Sequence, residues 1–305
     1  IRVWGKFDEP VRRLRETRTS ERLPEFRLPD VVTITTDGVE ALDGADAVVV
    51  AIPAQFVRPV LEEIGPHVPE RTPVVSVSKG IEVGTLMRVT EIARDVLGPR
   101  PTCVLSGPTI AAELAQRKPA SMVAASRDAA LANGVQSWFS ADYLRIYTSD
   151  DEVGVEIAGA LKNVIAIASG ILDGLDSGIN AKSALLARGL AEITRLGTAL
   201  DADRETFFGL AGVGDLATTC FSSEGRNRTF GEALGRGESR EDILARTNSA
   251  VEGVETVKSV VKIAQREGVD MPIVSAVNAV LYEGLDPREA ITQLMQREQK
   301  EETIG

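Results

Sequence analysis

Short β-branched and apolar runs recur through the first half of the chain, at residues 31–36, 45–53, 73–78, 102–106 and 121–125. Segments of helical length and composition separate most of them, at 54–64, 86–97, 110–116 and 129–138. Residues 48–52 are apolar at every position, the pattern of a strand buried on both faces. Strand–helix alternation with such strands predicts an α/β domain on a doubly wound parallel sheet. After Thr148 the strand signal stops. Segments 152–172, 181–200, 239–246, 255–267 and 287–298 all read as helices, so an all-α domain is expected to follow. In the first of them Ile157, Leu161, Val164, Ala168 and Ile171 recur every three or four residues and form one stripe. Gly154, Gly159 and Ala160 on its other faces let neighbours approach. This helix is expected to be buried at the centre of its domain. Cap-type residues Ser149, Asp150 and Asp151 mark the boundary, giving domains 1–148 and 149–305.

Composition narrows the partners. The 305 residues are 43% apolar and 26% charged, ordinary for a globular chain, and the net charge is −11. That acidity argues against nucleic acid or an anionic membrane as partner. Cys103 and Cys220 are the only cysteines and fit a reducing cytoplasm; they are too few for a disulfide framework or a zinc site. A single histidine, His67, excludes histidine-rich metal sites, so no metal is expected. No apolar run approaches the roughly 18 residues of a membrane span.

A doubly wound nucleotide domain opens with a strand, a G-x-G-x-x-G turn and a helix whose N-terminus takes pyrophosphate. The sequence has no G-x-G-x-x-G, and the Gly209, Gly212, Gly214 cluster has the wrong spacing. Ile1–Gly5 reads instead as the second strand of such a domain. On this reading one strand–turn–helix unit, roughly thirty residues, is expected to precede it. The other reading is a domain that binds no dinucleotide.

Chemistry gathers at a few places. Ser78-Lys79-Gly80 and Ser106-Gly107-Pro108-Thr109 both lie just past the carboxyl end of a strand, the edge where open α/β sheets bind ligands. Lys79 can hold a carbonyl oxygen or a phosphate there, or be a solvated loop lysine. Thr109 and the backbone at Gly107 offer donors, or simply make a turn. Lys162 is the one charge between Ile157 and Leu172, roughly 140° round the helix from Ile157. Burial would push its pKa toward the range of a general acid, unless it snorkels to solvent. Glycines crowd before Asp215, which can approach a partner closely, cap the next helix, or both. Gly225-Arg226-Asn227-Arg228 is either an anion clamp or a solvated loop. Lys6 follows the opening strand where an acidic residue would hold an NAD ribose, and a basic one suits the 2′-phosphate of NADP. His67, Trp4, Trp138 and both cysteines read as structural.

Seven stretches in order carry a resemblance over nearly the whole chain. They are Ser78-Lys79-Gly80, Ser106–Thr109, Gly159–Ile167, Arg188–Glu192, Gly212–Leu216, Arg226–Arg228 and Val251–Gly253. The sequence resembles the bacterial NAD(P)-dependent sn-glycerol-3-phosphate dehydrogenases. The resemblance implies a Rossmann domain, then a helical substrate domain. It also implies reversible reduction of dihydroxyacetone phosphate with NADPH or NADH, feeding glycerophospholipid synthesis. Lys162 would be the general acid/base, Lys79 would meet substrate and cofactor, and Asp215 would reach the reacting hydroxyls. Gly107, Thr109, Gly225, Arg226 and Asn227 would line the substrate. Lys6, Lys79, Ala111, Arg226, Ala250 and Glu252 would line the cofactor. A cytoplasmic homodimer is expected. Gly225 stands where the family commonly has serine, which removes one hydroxyl. Two rivals remain open: another dehydrogenase of this superfamily, of 3-hydroxyacid or ketopantoate type, and a non-catalytic binding protein.

Overall fold

The computed structural model describes residues 1–247, 249–299, 301 and 302. Strand β1 (Arg2–Trp4) is followed by α1 (Asp8–Thr17), the hairpin of β2 (Thr19–Ser20) and β3 (Leu23–Arg27), and β4 (Thr33–Thr35). Then come α2 (Gly38–Leu42), β5 (Val48–Val50), α3 (Val57–Ile64), β6 (Val74–Ser76), α4 (Val89–Leu97) and β7 (Thr102–Ser106). The sheet half ends with α5 (Ala111–Ala115), β8 (Ala120–Ala125), α6 (Ala129–Phe139) and β9 (Leu144–Ser149). β1 pairs in parallel with β4, and β5 to β9 form a separate sheet in chain order.

Alternation of strands and helices held, but the expected sheet differs in three respects. It is in two pieces, because β1 and β5 are not paired. It is not parallel throughout, because β8 runs antiparallel to β7. The five-residue α5 does not carry the chain back across a sheet face, so β8 re-enters from the edge where β7 ended. An all-apolar strand reads the same in either direction. Finally, β5 is not buried on both faces: Val49 is 47% exposed because β5 is the last strand of its sheet.

Boundaries shifted for local reasons. Segment 54–64 divides into a 3-10 turn, Ala54–Phe56, and α3. Leu86 has a φ of 64°, which a right-handed helix cannot accept, so α4 starts at Val89. Trp138 is 54% exposed at the end of α6 and is not a core residue. Cys103 and Cys220 are buried, and burial pushes both thiols up to about 12.

The second half is helical: α7 (Glu152–Gly174), α8 (Gly178–Ala199), α9 (Asp215–Phe221), α10 (Arg226–Gly235), α11 (Arg240–Arg246), α12 (Glu252–Glu267), α13 (Pro272–Tyr282) and α14 (Pro287–Met295). Helix α7 is its axis. Asp151 caps it, accepting from Gly154 N at 2.7 Å, and the stripe from Ile157 to Ile171 lies in the main core. By length and composition α7 passes as a membrane span, but 94% of that apolar window is buried within the protein. Its polar face ties it to the sheet half. Glu152 accepts from Arg94 and Thr102, and Glu156 accepts from Arg88 and the backbone N–H of Thr90. On another face α10 packs backbone to backbone. A Cβ on Gly170 would lie 1.9 Å from the Arg228 carbonyl oxygen, and one on Gly231 2.0 Å from that of Ile167. Only glycine permits that approach, and it sets the start of α10 beside α7.

Candidate active site

Three elements bring three charges to one point. Lys79 lies in the loop past β6, Lys162 in the middle of α7, and Asp215 at the first residue of α9. Lys79 Nζ is 2.5 Å from Asp215 Oδ2, and Lys162 Nζ is 2.5 Å from Asp215 Oδ1. Lys162 is 7% exposed and Asp215 1%, so neither snorkels to solvent. Burial pushes the Lys162 ammonium down to about 8, with the nearby Lys79 charge acting in the same direction and Asp215 opposing both. An ammonium made that acidic, yet held by one carboxylate shared with a second lysine, can release and recover a proton near neutral pH.

Asp215 does not also cap α9. Gly214 is the N-cap, no side chain caps the helix, and the Asp215 carboxylate turns to the lysines instead. The preceding turn, Leu210–Gly214, breaks at Gly212, where φ is −89° and ψ is −105°. Sequence reasoning missed Thr219, whose Oγ1 accepts from Lys162 at 2.6 Å and donates to the Asp215 carbonyl at 2.7 Å. The available signal was its spacing, four residues after Asp215 on one helix face.

A chain of hydrogen bonds connects this centre to α10. Asn163, next to Lys162, donates to Glu252 at 3.3 Å, and the N–H of Gly253 donates to Asn227 Oδ1 at 2.9 Å. Asn163 also lay outside the residues singled out for the site. Arg226 donates to the Ala250 carbonyl at 3.0 Å and is otherwise exposed. Gly225, the N-cap of α10, has no side chain to satisfy the first N–H groups of that helix. Burial raises the Glu252 carboxyl above its ordinary value, against the opposing charges of Arg226, Lys79 and Lys162. On the other side, Lys79 donates to the Gly107 carbonyl at 3.4 Å, and Thr109 Oγ1 donates to the same oxygen at 3.3 Å.

Two residues stand apart from the charged centre. Ala111 is exposed as the first residue of α5, and Lys6 forms an ion pair with Glu63 at 2.6 Å near the surface. Among the described residues no three His, Cys, Asp or Glu side chains cluster as metal ligands.

Comparison with known proteins gives this geometry a family. Models of the NAD-dependent glycerol-3-phosphate dehydrogenase N-terminus and C-terminus match residues 1–132 and 151–292. The chain belongs to this family. Glycerol-3-phosphate dehydrogenase [NAD(P)+] of Listeria monocytogenes serotype 4b (strain CLIP80459) is 45% identical over 302 residues, covering 98% of this chain and 89% of that protein. The Staphylococcus aureus (strain JH9) enzyme is 42% identical, covering 99% and 92%. The crystal structure of glycerol-3-phosphate dehydrogenase from Coxiella burnetii superposes with a TM-score of 0.94 at 33% identity, covering 97% of this chain and 91% of that one. A ketopantoate reductase from Ralstonia eutropha JMP134 reaches a TM-score of 0.58 at 16% identity and shares the fold alone. As a glycerol-3-phosphate dehydrogenase the chain is an oxidoreductase using NADH or NADPH, on a Rossmann domain followed by a helical one.

The residues at the reaction end suit that cofactor. Lys79 and Gly107 lie past the carboxyl ends of β6 and β7, where open α/β sheets receive nucleotides. Asn163, next to Lys162, donates to Glu252, whose carboxyl feels the charges of Arg226, Lys79 and Lys162. A glycine-rich pyrophosphate turn is not found within residues 1–305.

Proposed function

We propose that this protein reversibly reduces dihydroxyacetone phosphate to sn-glycerol 3-phosphate, and that Lys162 is its general acid/base. Bound NADH or NADPH supplies the hydride that reaches C2. Hydride arrival leaves charge on the C2 oxygen, and Lys162 Nζ donates the proton there, becoming neutral. Asp215 and Thr219 aim Lys162 and stabilise its charged form between turnovers. Lys79, beside the same carboxylate, polarises the substrate carbonyl. Gly107 and Thr109 bound the substrate on the sheet side. On the helical side, Arg226, Asn227 and the free N–H groups at the start of α10 take the phosphate. Lys6, Lys79, Ala111, Arg226, Ala250 and Glu252 would hold the cofactor. In this reading the domains divide at residue 148, and the enzyme works as a cytoplasmic homodimer whose product feeds glycerophospholipid synthesis. Two buried free thiols suit a reducing compartment.

The observation that carries the reading is the 2.5 Å contact of buried Lys162 with buried Asp215. A non-catalytic protein on this fold has no use for a costly buried ammonium held ready to titrate. The test follows oxidation of NADPH with dihydroxyacetone phosphate, ketopantoate and a 3-oxo acid as separate substrates. Turnover confined to dihydroxyacetone phosphate is expected. Preference for either other substrate would assign the chain to the rival dehydrogenase type.

A further inference from the structure

Ser106 is the last residue of strand β7. It is 2% exposed, and its Oγ has no hydrogen-bond partner among the described residues. The other buried unpaired atoms are guanidinium nitrogens of Arg18, Arg100 and Arg228, whose side chains make further polar contacts. Ser106 makes none. A hydroxyl buried without a partner costs stability that alanine would not cost. Its surroundings suggest why it is there. The point where a Cβ on Gly159 would stand is 3.3 Å from Ser106 Oγ, 3.5 Å from Lys79 Cγ and 3.7 Å from Lys79 Cδ. Glycine at 159, three residues before Lys162, therefore lets the Ser106 hydroxyl and the Lys79 stem both pack against α7 at the same point.

Lys79 carries three N–H donors, and two have partners: Asp215 at 2.5 Å and the Gly107 carbonyl at a long 3.4 Å. The Asp215 carboxylate is itself shared with Lys162. An under-used donor and an unused acceptor thus belong to side chains that flank the same point on α7. We propose that Ser106 is a positioning residue for Lys79, its hydroxyl accepting from the ammonium when Asp215 turns to Lys162 during turnover. In that state Ser106 keeps Lys79 aimed at the substrate carbonyl while the carboxylate serves the proton donor. The inference rests on the proposed reaction, in which both lysines face the substrate.

A double-mutant cycle tests it. Ser106→Ala is expected to lower kcat for dihydroxyacetone phosphate about tenfold, with KM little changed. Its melting temperature should stay equal to wild type or rise, because an unpaired buried hydroxyl is gone. In a Lys79→Met background the same substitution should cost nothing further in kcat. Wild-type turnover by Ser106→Ala overturns the proposal. So does an equal tenfold loss in both backgrounds, which would show the hydroxyl serving a ligand and not Lys79. A fall in melting temperature also overturns it, by showing a structural bond. A wild-type enzyme inactive on dihydroxyacetone phosphate would sink the reaction itself, an outcome distinct from an active wild type with an unaffected Ser106→Ala.

Discussion

Lys162 and Asp215 are 53 residues apart in sequence, yet their charged atoms sit 2.5 Å apart and both residues are nearly inaccessible. A buried pair of this kind contributes little net stability, because desolvation offsets its attraction. In the proposed reaction its value lies in chemistry. The carboxylate keeps the ammonium in place while burial and Lys79 keep it acidic. Asp215 reaches that point because the turn before α9 breaks at Gly212, and Lys162 because Glu152 and Glu156 tie the N-terminal part of α7 to the sheet half.

Lys162→Met keeps the bulk of the stem and removes the charge. Asp215 retains Lys79 as partner, so the fold should survive and NADPH should still bind. Reduction of dihydroxyacetone phosphate is expected to slow at least about a hundredfold, as for loss of a general acid. Steady-state rates with a parallel fluorescence titration of NADPH check both halves. Near-normal turnover would move the role to Lys79.

The depressed Lys162 ammonium also predicts how each direction depends on pH. Reduction needs the charged form, so its kcat should fall as pH rises through about 8. Oxidation of glycerol 3-phosphate needs the neutral amine, so its kcat should rise through the same region. Paired pH profiles that bend in the same sense would exclude a single shared acid/base.

Arg226 is exposed and, among the described residues, donates to the Ala250 carbonyl, which leaves most of its fork available. A charge-assisted bond to phosphate contributes about 1.5–3 kcal/mol. Arg226→Ala should therefore raise KM for dihydroxyacetone phosphate about tenfold or more, and leave unphosphorylated dihydroxyacetone little changed. Equal losses on both substrates would assign the residue to the cofactor or the fold.

Local pattern carried much of this into view. Lys162 stood out because one charge interrupts an apolar helix, and Asp215 because glycines crowd before it. Thr219 did not stand out, since a threonine in an amphipathic helix signals nothing until the position of Lys162 is known. Helices α10 and α13 were also missed. The glycines of α10 and the apolar residues spread over every face of α13 blur a 3.6-residue period, and tertiary packing decides both. The reversal of β8 depends on the path of a five-residue helix, which no strand pattern encodes.

Lys6 is paired with Glu63 at the surface, with both side chains about half exposed. Such a pair adds little stability and can open at small cost to receive a 2′-phosphate. Lys6→Glu should weaken NADPH more than NADH when the two dissociation constants are measured side by side. Equal weakening would show that Lys6 does not see the 2′-phosphate.

The last prediction concerns stability and Glu192, a buried carboxyl far from the lysine pair. From α8 it accepts the backbone N–H groups of Ile273 and Val274, the first turn of α13, at 2.7 and 3.2 Å. Burial nevertheless pushes it up to about 7, against those two bonds. The unfolded chain would titrate this group near the ordinary glutamate value of about 4.3. Between these two values the folded protein binds more protons than the unfolded one, so stability should decline as pH rises from about 4.5 to about 7. Above pH 7 this group adds no further slope. The span corresponds to a few kcal/mol, on the order of 3. Glu192→Gln cannot titrate and presents one oxygen to two N–H groups, so it should be less stable than wild type at pH 5. The deficit should then shrink as pH rises to 7.5, where the wild-type carboxylate bears its desolvation cost. Melting curves of both proteins across pH 5 to 7.5 check this. A wild-type minus variant difference that stays flat across that range would show that Glu192 is ionised throughout.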